Sequence, residues 1–386
     1  MTRSTKLLTV GHSYVVALNR RLANEISREG RGSWEVTAAA PTFLHGDLRD
    51  IHMELIDGES SALVGVPGYL SRKIHFFFYS NTLRSVLRQD WDLVHAWEEP
   101  YIVCGWQIAR WTPKSVPLVF STAQNLSKRY PPPFAQFERS VVQRSAGWIA
   151  FGETVEQVCR TRPGYGDRPA KTIPMGVDTA DFAPNLESGR RVIEHLEWSS
   201  NGPPVVGYLG RFVPEKGLPM LMRALDDCRS PWRALFVGGG PMEDDIKVWG
   251  RRHGDRVRVC NGVSHEQVPA YLNAMDILVA PSQTTHFWRE QFGRMLAEGF
   301  ACGIPVIASD SGEIPYTVGD AGKIVGERDQ AGWRQALEDV LESPSKRAEM
   351  AARGRERASQ LFSWPVVARR HLEFFDRVLA SRRPPP

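Results

Sequence analysis

The chain has 386 residues, of which 42% are hydrophobic and 24% are charged, and its formal net charge at pH 7 is +4. This length and composition exclude a disordered or fibrous chain and allow two globular domains of ordinary size. Because Lys and Arg are scattered among acidic residues, the charge does not favour a nucleic-acid partner, but it leaves open a weak attraction to an acidic membrane surface.

The sequence contains no apolar run of the roughly 18 residues that a membrane-spanning helix requires, and its start lacks the apolar core of a signal peptide. The five cysteines show neither pairing nor CxxC spacing, which indicates a reducing compartment and buried structural thiols. We therefore expect a cytoplasmic protein, with peripheral contact with the inner membrane as an open alternative. The sequence does not indicate an oligomeric state.

Short β-branched or apolar runs alternate with amphipathic, helix-like stretches along the whole chain. The strand candidates of the first half are Leu7–Val10, Val36–Ala39, Leu93–Ala96, Leu118–Ser121, Trp148–Phe151 and Thr172–Pro174. Those of the second half are Val205–Leu209, Ala234–Val237, Val257–Val259, Ile277–Ala280, Val306–Ser309 and Lys323–Val325. The helical patterns include Ala17–Arg28, Leu218–Asp227, Val268–Ala274 and Ala331–Leu341. This alternation predicts βαβ units and parallel sheets with helices on both faces.

A polar stretch from Pro184 to Pro204 is helical in its middle and ends in Ser-Ser-Asn-Gly-Pro-Pro before a new strand, which is typical of a linker. We therefore predict two doubly wound α/β domains, residues 1–182 and 183–364. A C-terminal helix over residues 365–381 follows the capping residue Ser363, and its apolar stripe needs another surface to cover it. The last residues, 382–386, are Arg-Arg-Pro-Pro-Pro and are predicted to be disordered.

In such sheets, ligands bind beyond the carboxyl ends of the strands. The turns predicted there are rich in Gly and polar residues, and we expect them to form two walls that face each other across a crevice. In the first domain they are Gly11-His12-Ser13, Trp97-Glu98-Glu99-Pro100, Ala123-Gln124-Asn125, Gly152-Glu153 and Gly176-Val177-Asp178. In the second domain they are Gly210-Arg211, Gly238-Gly239-Gly240, Gly262-Val263, Pro281-Ser282 and Asp310-Ser311-Gly312.

The stretch GYLGRFVPEKGLPML, residues 207–221, combines a strand, a loop with two cations and the start of a helix. Arg211 can bind an anion bidentately, Lys216 supplies a point charge, and the N–H groups of the helix N-terminus complete a cradle that suits a pyrophosphate. Two solvated loop cations are the alternative interpretation. The following FVGGGPMEDDI, residues 236–246, lacks the GxGxxG spacing, so no dinucleotide-binding motif is indicated.

The stretch WREQFGRMLAEGFACGIPVIASDSGEIP, residues 288–315, places Glu290 and Glu298 in a segment that otherwise indicates a buried helix and a buried strand. The Phe292-Gly293 pair predicts that Glu290 lies in a loop and that the helix begins near Gly293. Both carboxylates then reach the crevice, Glu290 beside the helix N-terminus and Glu298 from deeper. Because a helix N-terminus favours anions and carboxylates accept hydrogen bonds from hydroxyls, this pattern suits a sugar nucleotide. The alternative is an exposed loop glutamate and a solvated helix glutamate.

Several of these stretches together resemble the retaining glycosyltransferases of family four, which have the GT-B fold. The resemblance implies two Rossmann-like domains with a crevice between them and a C-terminal helix that crosses back onto the first domain. It covers nearly all of the second domain and is looser in the first, as expected for an acceptor-binding half. It rests on Glu-x7-Glu with its internal Phe-Gly, ACGIPVIASDSGEIP, GRFVPEKG, NGVSHEQVPAYLNAMDILVAPS, IPMGVDTADFAP and FSWPVVARRHLEFF.

Carried over residue by residue, the resemblance implies a catalytic and donor-binding set. Arg211 and Lys216 hold the donor diphosphate, Glu290 contacts the transferred sugar near its 3-hydroxyl, and Glu298 binds the ribose hydroxyls. The resemblance implies no metal and no other cofactor, because Arg, Lys and the helix dipole neutralise the leaving diphosphate. The other donor-binding residues that it implies are Gly11, His12, Gly210, Phe292, Gly293 and, near the nucleobase, Gly262 and Val263.

The sequence departs from the family pattern at two positions. The first loop usually has paired glycines, whereas His12 follows Gly11 here; it either shapes the donor-phosphate or acceptor pocket or packs as a structural histidine. Gln124 stands where many members have a histidine near the reacting sugar, and since it cannot act as a base, its role is positioning. The acceptor-side candidates are Glu98, Glu99, Gln124 and Asn125, with one of the two glutamates being more simply an ordinary loop acid.

The sequence therefore predicts a metal-independent, retaining hexosyltransferase that moves a sugar from a nucleoside-diphosphate sugar to a hydroxyl of a glycan, glycolipid or small glycoside. A sugar-nucleotide epimerase of related fold and a non-catalytic sugar-nucleotide-binding protein are the alternatives. An epimerase would show more acid and base residues in the crevice, and the four charged residues of the donor set argue against a non-catalytic protein. The sequence identifies neither the base (uridine, guanosine or another) nor the sugar, the acceptor or the linkage.

Overall fold

The computed structural model describes residues 3–46 and 50–381, so the disorder predicted for residues 382–386 lies outside the described residues. The chain divides into two compact units: unit 1 is Met1–Pro174 with Trp364–Pro386, and unit 2 is Met175–Ser363. The sequence predicted a division near residue 182. Residues 175–182 group with unit 2 because Val177 pairs with Ser363 and Phe182 is buried in a unit 2 core.

Strands and helices alternate along unit 1. Short 3₁₀ turns cover His12–Val15, Ala17–Arg20 and Ile74–Phe76. The helices before residue 174 are α1 (Arg21–Glu29), α2 (Asn81–Leu87), α3 (Val103–Trp111), α4 (Phe134–Arg144) and α5 (Glu153–Arg160). The strands are β1 (Thr5–Val10), β2 (Trp34–Pro41), β3 (Phe43–His45), β4 (Asp50–His52), β5 (Ala62–Val66), β6 (Gly68–Tyr69), β7 (Phe78–Tyr79), β8 (Leu93–Ala96), β9 (Leu118–Thr122), β10 (Gly147–Ala150) and β11 (Ala170–Thr172).

Seven of these strands form a parallel sheet in the order β11-β10-β9-β8-β1-β2-β5. Strands β8, β9 and β10 are buried along their whole length, as expected for parallel strands with helices on both faces. The edge strand β5 was not among the predicted strands, and it is mostly half-exposed and interrupted by Gly65. Two short antiparallel pairs, β3 with β4 and β6 with β7, lie outside this sheet.

Unit 2 repeats the same design with six parallel strands in the order β14-β13-β12-β15-β16-β17. This is the 3-2-1-4-5-6 order of a Rossmann fold, so the predicted doubly wound fold class is confirmed. Its strands are β12 (Val205–Arg211), β13 (Arg233–Gly239), β14 (Val257–Cys260), β15 (Ile277–Ala280), β16 (Val306–Ser309) and β17 (Lys323–Val325). Its helices are α6 (Leu186–His195), α7 (Leu218–Asp226), α8 (Glu243–Arg251), α9 (Val268–Asn273), α10 (Arg294–Ala301), α11 (Ile314–Val318), α12 (Gln330–Leu341) and α13 (Pro344–Arg357).

The last helix, α14 (Trp364–Ala380), belongs to unit 1 although the residues before it belong to unit 2. Its apolar stripe, which includes Phe374, Phe375 and Val378, is buried in one hydrophobic cluster with Leu7 of β1. The polar side of α14 contributes an ion pair between Arg369 and Glu29 of α1, with 2.8 Å between Nη1 and Oε2. The stripe seen in the sequence is thus covered by unit 1.

No helix within residues 3–46 and 50–381 is both long enough and apolar enough to span a bilayer. The five cysteines all lie in this part of the chain and are free thiols. Cys104, Cys159 and Cys302 are buried, while Cys228 and Cys260 are partly exposed.

Candidate active site

Each of the two parallel sheets has one point where the strand order reverses. In unit 1 this point lies between β1 and β8, and in unit 2 it lies between β12 and β15. Ligands of doubly wound folds bind beyond the carboxyl ends of the strands at such a point. The segments that follow these four strands contain His12, Glu98, Lys216 and Glu290, so four predicted site residues lie at the two points where folds of this class bind ligands.

The turn after β12 is built so closely against the segment after β15 that only glycine fits at residue 217. Gly217 has φ 71°, and a Cβ there would lie 1.8 Å from the carbonyl oxygen of Pro281. The N–H of Gln283 donates to the carbonyl oxygen of Glu215 over 2.8 Å, which joins the same two segments. This packing fixes the backbone beside Lys216, the residue that precedes the glycine.

Lys216 and Glu290 form an ion pair at this turn, with 2.5 Å between Nζ and Oε2. The hydroxyl of Ser282, at the end of β15, donates to the same carboxylate oxygen over 2.9 Å. The ammonium group also lies 4.8 Å from the ring centroid of Trp288, in a cation–π arrangement. Glu290 is 9% exposed, which excludes the alternative of a solvated loop glutamate.

The backbone around Glu290 is held by the segment after β16. The N–H of Glu313 donates to the carbonyl oxygen of Glu290 over 3.0 Å, and the Thr317 hydroxyl donates to that of Phe292 over 2.9 Å. A Cβ on Gly312, which has φ 58°, would lie 2.2 Å from the Glu290 carbonyl oxygen. Helix α10 begins directly after Gly293, as the Phe-Gly pair predicted, and Glu290 lies in the preceding loop.

Glu298 lies in the second turn of α10 and is 6% exposed, so it is not on a solvated helix face. Burial raises the pKa of its carboxyl group to about 7, although the positive charge of Arg294 acts to lower it. Within the described part of the chain, no hydrogen bond to its carboxyl oxygens is found. The two glutamates therefore differ: Glu290 is ion-paired and hydrogen-bonded, whereas Glu298 is a buried acceptor available to hydroxyl groups.

The remaining predicted residues of unit 2 also lie at or beyond the carboxyl ends of strands. Gly210 and Arg211 are the last residues of β12, and the Arg211 side chain is exposed. The hydroxyl of Tyr208 donates to the carbonyl oxygen of Arg211 over 2.8 Å, which fixes the backbone there. Gly262 and Val263 follow the edge strand β14, and Gly262 has φ 68° with open space where a Cβ would lie. Sequence reasoning listed Ser282 only as a turn residue and did not predict its bond to Glu290.

The structure brings His12 and Glu98 of unit 1 together. One carboxylate oxygen of Glu98 accepts the backbone N–H of His12 over 2.5 Å, and the other lies 2.5 Å from His12 Nδ1. The Tyr79 hydroxyl donates to Glu98 over 3.3 Å. A ligand atom of Cys104 lies within 4.8 Å of those of His12 and Glu98, a spacing that a metal ion could also use. In the structure these side chains form a hydrogen-bonded cluster centred on the Glu98 carboxylate.

The other three acceptor-side candidates surround the end of β9. Glu99 accepts hydrogen bonds from the Thr122 hydroxyl and the Ala123 N–H, both over 2.7 Å. Burial raises the pKa of Glu99 to about 7, although these two hydrogen bonds lower it. Gln124 donates to the Tyr130 hydroxyl over 2.8 Å and accepts the N–H of Leu126 over 3.0 Å. The fourth candidate, Asn125, is only 1% exposed.

Comparison with known families covers both units. The sequence model of Glycosyltransferase Family 4 matches residues 15–181, and that of glycosyl transferases group 1 matches residues 195–357. Together with the two Rossmann-like sheets, these matches place the chain in the glycosyltransferase class of GT-B fold. Within that class, the chain belongs to glycosyltransferase family 4, so the family resemblance of the sequence is confirmed.

Individual relatives are similar over different lengths. A GDP-mannose-dependent alpha-(1-6)-phosphatidylinositol monomannoside mannosyltransferase of Mycolicibacterium smegmatis is 34% identical over 220 residues, which is 55% of this chain and 56% of that protein. The chain thus spans just over half the length of this relative. A D-inositol 3-phosphate glycosyltransferase of Jonesia denitrificans is 28% identical over 396 residues, covering 94% of this chain and 90% of that protein.

A solved structure of Anabaena Alr3699/HepE in complex with UDP and glucose shares the fold over nearly the whole chain. Its TM-score is 0.73 at 18% sequence identity, and the similarity covers 97% of this chain and 100% of the other. At this identity the likeness shows the fold alone.

Proposed function

We propose that this protein is a retaining, metal-independent glycosyltransferase that transfers a sugar from a nucleoside-diphosphate sugar to a hydroxyl group. The observation that carries the proposal is the Glu290 carboxylate, which is ion-paired with Lys216 at the reversal point of the unit 2 sheet. A nucleotide sugar needs a cation for its diphosphate and acceptors for its hydroxyls, and the ion pair combines the two.

In the proposed reaction, Arg211 and Lys216 bind the donor diphosphate. An ammonium group has three N–H donors, so the bond from Lys216 to Glu290 leaves two for phosphate oxygens. The exposed guanidinium of Arg211 can bind the same group bidentately. These positive charges stabilise the negative charge that develops on the leaving diphosphate, which is the task that a metal ion performs in other transferases.

The two glutamates take different hydroxyls of the donor. Lys216 and Ser282 fix the Glu290 carboxylate, and we assign it to the transferred sugar, where positive charge grows as the glycosidic bond breaks. We assign the buried carboxyl group of Glu298 to the ribose hydroxyls. Hydrogen bonds from two hydroxyls would supply the acceptor oxygens with the partners that they lack within the described residues.

The transfer proceeds on one face of the sugar. The bond between the anomeric carbon and the phosphate oxygen breaks, and the acceptor oxygen bonds to the same face of that carbon. The acceptor's proton passes to the departing phosphate oxygen, so no side chain is required as a base. Gln124, which is held between Tyr130 and Leu126, has a positioning role in this scheme.

The names of the relatives suggest which donor and which class of acceptor to test first. The Mycolicibacterium relative is named as GDP-mannose-dependent and acts on a phosphatidylinositol mannoside, and the Jonesia relative acts on D-inositol 3-phosphate. We propose GDP-mannose as the first donor to test and an inositol-containing molecule as the first acceptor. UDP-sugars are the comparison series, since HepE was solved with UDP.

Donor binding tests the assignment of the two cations. Arg211→Ala and Lys216→Ala should each weaken the binding of GDP or UDP by about 10- to 100-fold, because each removes a charge-assisted hydrogen bond. Lys247→Ala is the matched control, since this exposed lysine of α8 pairs with Glu243 within its own helix. If both site variants bind as tightly as the control, the diphosphate assignment is wrong.

Product analysis tests the reaction itself. We expect a product linkage with the anomeric configuration of the donor, measured by NMR, and activity that survives EDTA. Inversion would contradict the retaining mechanism, and loss of activity in EDTA would contradict metal independence. Conversion of the donor into an epimeric sugar nucleotide without an acceptor would instead identify an epimerase. Donor binding without any turnover would identify a non-catalytic protein.

We also propose that the segment Tyr69–Phe76 of unit 1 contacts the membrane surface. Tyr69, Leu70 and Phe76 are 53%, 64% and 46% exposed, which is unusual for large apolar residues so close together. Leu70 has φ 57°, a conformation that a leucine rarely adopts. Arg72 and Lys73 are exposed between these residues and would attract anionic lipids.

Vesicle sedimentation tests this contact. The protein should bind phosphatidylcholine vesicles that contain phosphatidylglycerol and bind pure phosphatidylcholine vesicles more weakly. Leu70→Ser combined with Phe76→Ser should reduce binding to both. Leu186→Ser, at a leucine of unit 2 that is 87% exposed, should leave binding unchanged. Equal binding by the double variant and this control would rule the segment out.

A further inference from the structure

His12 is held by a buried carboxylate in a fixed orientation. Glu98 engages both the backbone N–H and the Nδ1 atom of His12, each over 2.5 Å. The Glu98 side chain has no exposed surface, whereas the His12 side chain is 29% exposed. The Nδ1 side of the imidazole therefore faces the buried carboxylate, while part of the His12 side chain reaches solvent.

The second ring nitrogen of His12 is the atom left for a ligand. Within residues 3–46 and 50–381, no hydrogen bond to His12 Nε2 is found. This nitrogen is not fully buried, so a ligand can reach it. His12 follows β1 and Glu98 follows β8, so the pair lies at the reversal point of the unit 1 sheet. This is the position where ligands of doubly wound folds bind.

The groups around the pair determine the charge of the imidazole. Burial by itself lowers the pKa of His12, but the charge of Glu98 and its hydrogen bond, with a contribution from Glu99, raise it above the ordinary value. Burial and the charge of Glu98 raise the pKa values of Tyr79 and Cys104, and burial raises that of Tyr14, so these groups remain neutral near pH 7. Glu99, whose burial raises its pKa to about 7, is only partly ionised there.

We propose that His12, oriented by Glu98, is an anion-binding residue whose Nε2–H donates to a phosphate oxygen of the ligand. Glu98 is then a positioning residue that acts through His12 and does not itself touch an acceptor hydroxyl. The inference rests on the proposed function, because that function supplies two phosphate-bearing ligands, the nucleoside diphosphate and a phosphorylated acceptor. An imidazolium with a fixed donor suits either.

The test measures binding by isothermal titration calorimetry in two arms. GDP, UDP and inorganic pyrophosphate form the donor arm, and D-inositol 3-phosphate against inositol forms the acceptor arm. His12→Gln should weaken phosphate binding by about 10- to 100-fold in at least one arm, as expected for one charge-assisted hydrogen bond, and leave inositol binding unchanged. His52→Gln, at an exposed histidine of β4, is the matched control. The arm that responds identifies the source of the phosphate.

Two further measurements separate an anion-binding histidine from a base. In the responding arm, wild-type affinity should fall relative to His12→Gln as the pH rises through the His12 pKa, since the imidazolium is then lost. Glu98→Gln should weaken phosphate binding in the wild-type background but not in the His12→Gln background. Circular dichroism and thermal unfolding establish that each variant is folded, and the conclusion from His12→Gln stands without the Glu98 variant.

Several results would overturn the inference. These are wild-type affinity of His12→Gln in both arms, a loss of turnover alone, or an affinity that rises with pH relative to the variant. Lys216→Ala, measured in the same assays, tests the proposed function independently of the role of His12. If Lys216→Ala binds GDP and UDP normally while His12→Gln does not, the donor assignment in unit 2 fails and the role of His12 stands.

Discussion

The carboxyl groups of Glu290 and Glu298 are both buried, but they differ in their hydrogen-bond and ion-pair partners. The Glu290 carboxylate is held by Lys216 and Ser282. The Glu298 carboxyl group is buried, has a pKa raised to about 7, and has no hydrogen-bond partner within the described residues. An interaction that strengthens only in the transition state raises turnover, whereas one that is equal in both states mainly lowers the Michaelis constant. The environment of each carboxyl group therefore predicts how its loss affects the kinetics.

We expect Glu290→Gln to reduce mainly kcat and Glu298→Gln to raise mainly the donor KM. Each change should be about 10- to 100-fold, from the loss of a hydrogen bond to a charged group. Steady-state kinetics with the donor varied at saturating acceptor would measure both. Glu243→Gln, at a glutamate at the start of α8 that pairs with Lys247, is the control and should leave both constants unchanged. Identical profiles for the two site variants would contradict the division of roles.

The pH dependence of the donor KM provides a second check on Glu298. Because its pKa is raised to about 7, the carboxyl group becomes protonated as the pH falls through this value, and it then loses one acceptor oxygen. The wild-type donor KM should therefore rise below pH 7. The KM of Glu298→Gln should already be high and should lack this dependence. A variant with the wild-type pH profile would show that another group titrates.

At the residue scale, the sequence predicted local features and missed long-range pairs. The spacing of Glu290, Phe292 and Gly293 was enough to place the glutamate in a loop and to begin the helix at the glycine. The pairing of His12 with Glu98 joins residues 86 positions apart, and it depends on β1 and β8 being neighbours in the sheet. No local pattern specifies that neighbourhood.

At the element scale, apolar runs predicted the core strands and the edge strands β11, β14 and β17, but not the edge strand β5. Buried parallel strands such as β8 and β15 are continuous apolar runs bounded by turns, which is the signal that the sequence shows. Strand β5 is exposed or half-exposed over most of its length, and Gly65 interrupts its apolar run, which weakens that signal. The strand order itself follows from crossover geometry and packing, which the sequence pattern does not display.

The turn between β12 and α7 should be sensitive to a single added methyl group. Gly217→Ala imposes an unfavourable positive φ of 71° and places a Cβ 1.8 Å from the Pro281 carbonyl oxygen. We expect a loss of about 2–5 kcal/mol in the free energy of unfolding, from about 1–2 for the conformation and about 1–3 for the clash. Donor affinity should fall as well, since Lys216 precedes the glycine. Urea unfolding and calorimetric titration with GDP or UDP would measure the two effects.

Gly254→Ala is the matched control for this turn. Gly254 has φ 59° but no atom within 4 Å of the added Cβ, so this variant should lose only about 1–2 kcal/mol and keep its donor affinity. Equal stability losses in the two variants would show that the segment after β15 moves aside at no cost. The close packing of these two segments would then not be what positions Lys216.

At the scale of the whole molecule, the chain returns to unit 1 through its last helix. The sequence showed an apolar stripe on this helix that needed a covering surface, and the family resemblance implied which domain supplies it. The structure adds a feature that neither indicated: α14 carries His371 into the interior, where its ring centroid lies 6.0 Å from that of His95 on β8. Two histidines are therefore buried together in the core of unit 1.

This buried pair makes the stability of unit 1 depend on pH. Burial lowers the pKa of His371 to about 4, although its bond to the Val367 carbonyl oxygen acts to raise it. Burial and the neighbouring His371 lower the pKa of His95 well below its ordinary value. In the unfolded chain a histidine has a pKa of about 6.5, so between about pH 6.5 and 4 the unfolded state binds more protons than the folded state. The stabilisation is therefore complete above pH 6.5 and is lost as the pH falls.

Replacing His371 should remove a defined part of this dependence. As the pH falls through this interval, each such histidine lowers the free energy of unfolding by about 1.4 kcal/mol per pH unit. Between pH 6.5 and 5 the loss is about 2 kcal/mol for each histidine. His371→Phe, which leaves no titratable group and no unpartnered Nε2, should reduce the loss over this interval by about that amount, as measured by urea unfolding at each pH. His52→Gln, at an exposed position, should keep the wild-type slope. If His371→Phe also keeps that slope, the acid sensitivity of unit 1 arises from other groups.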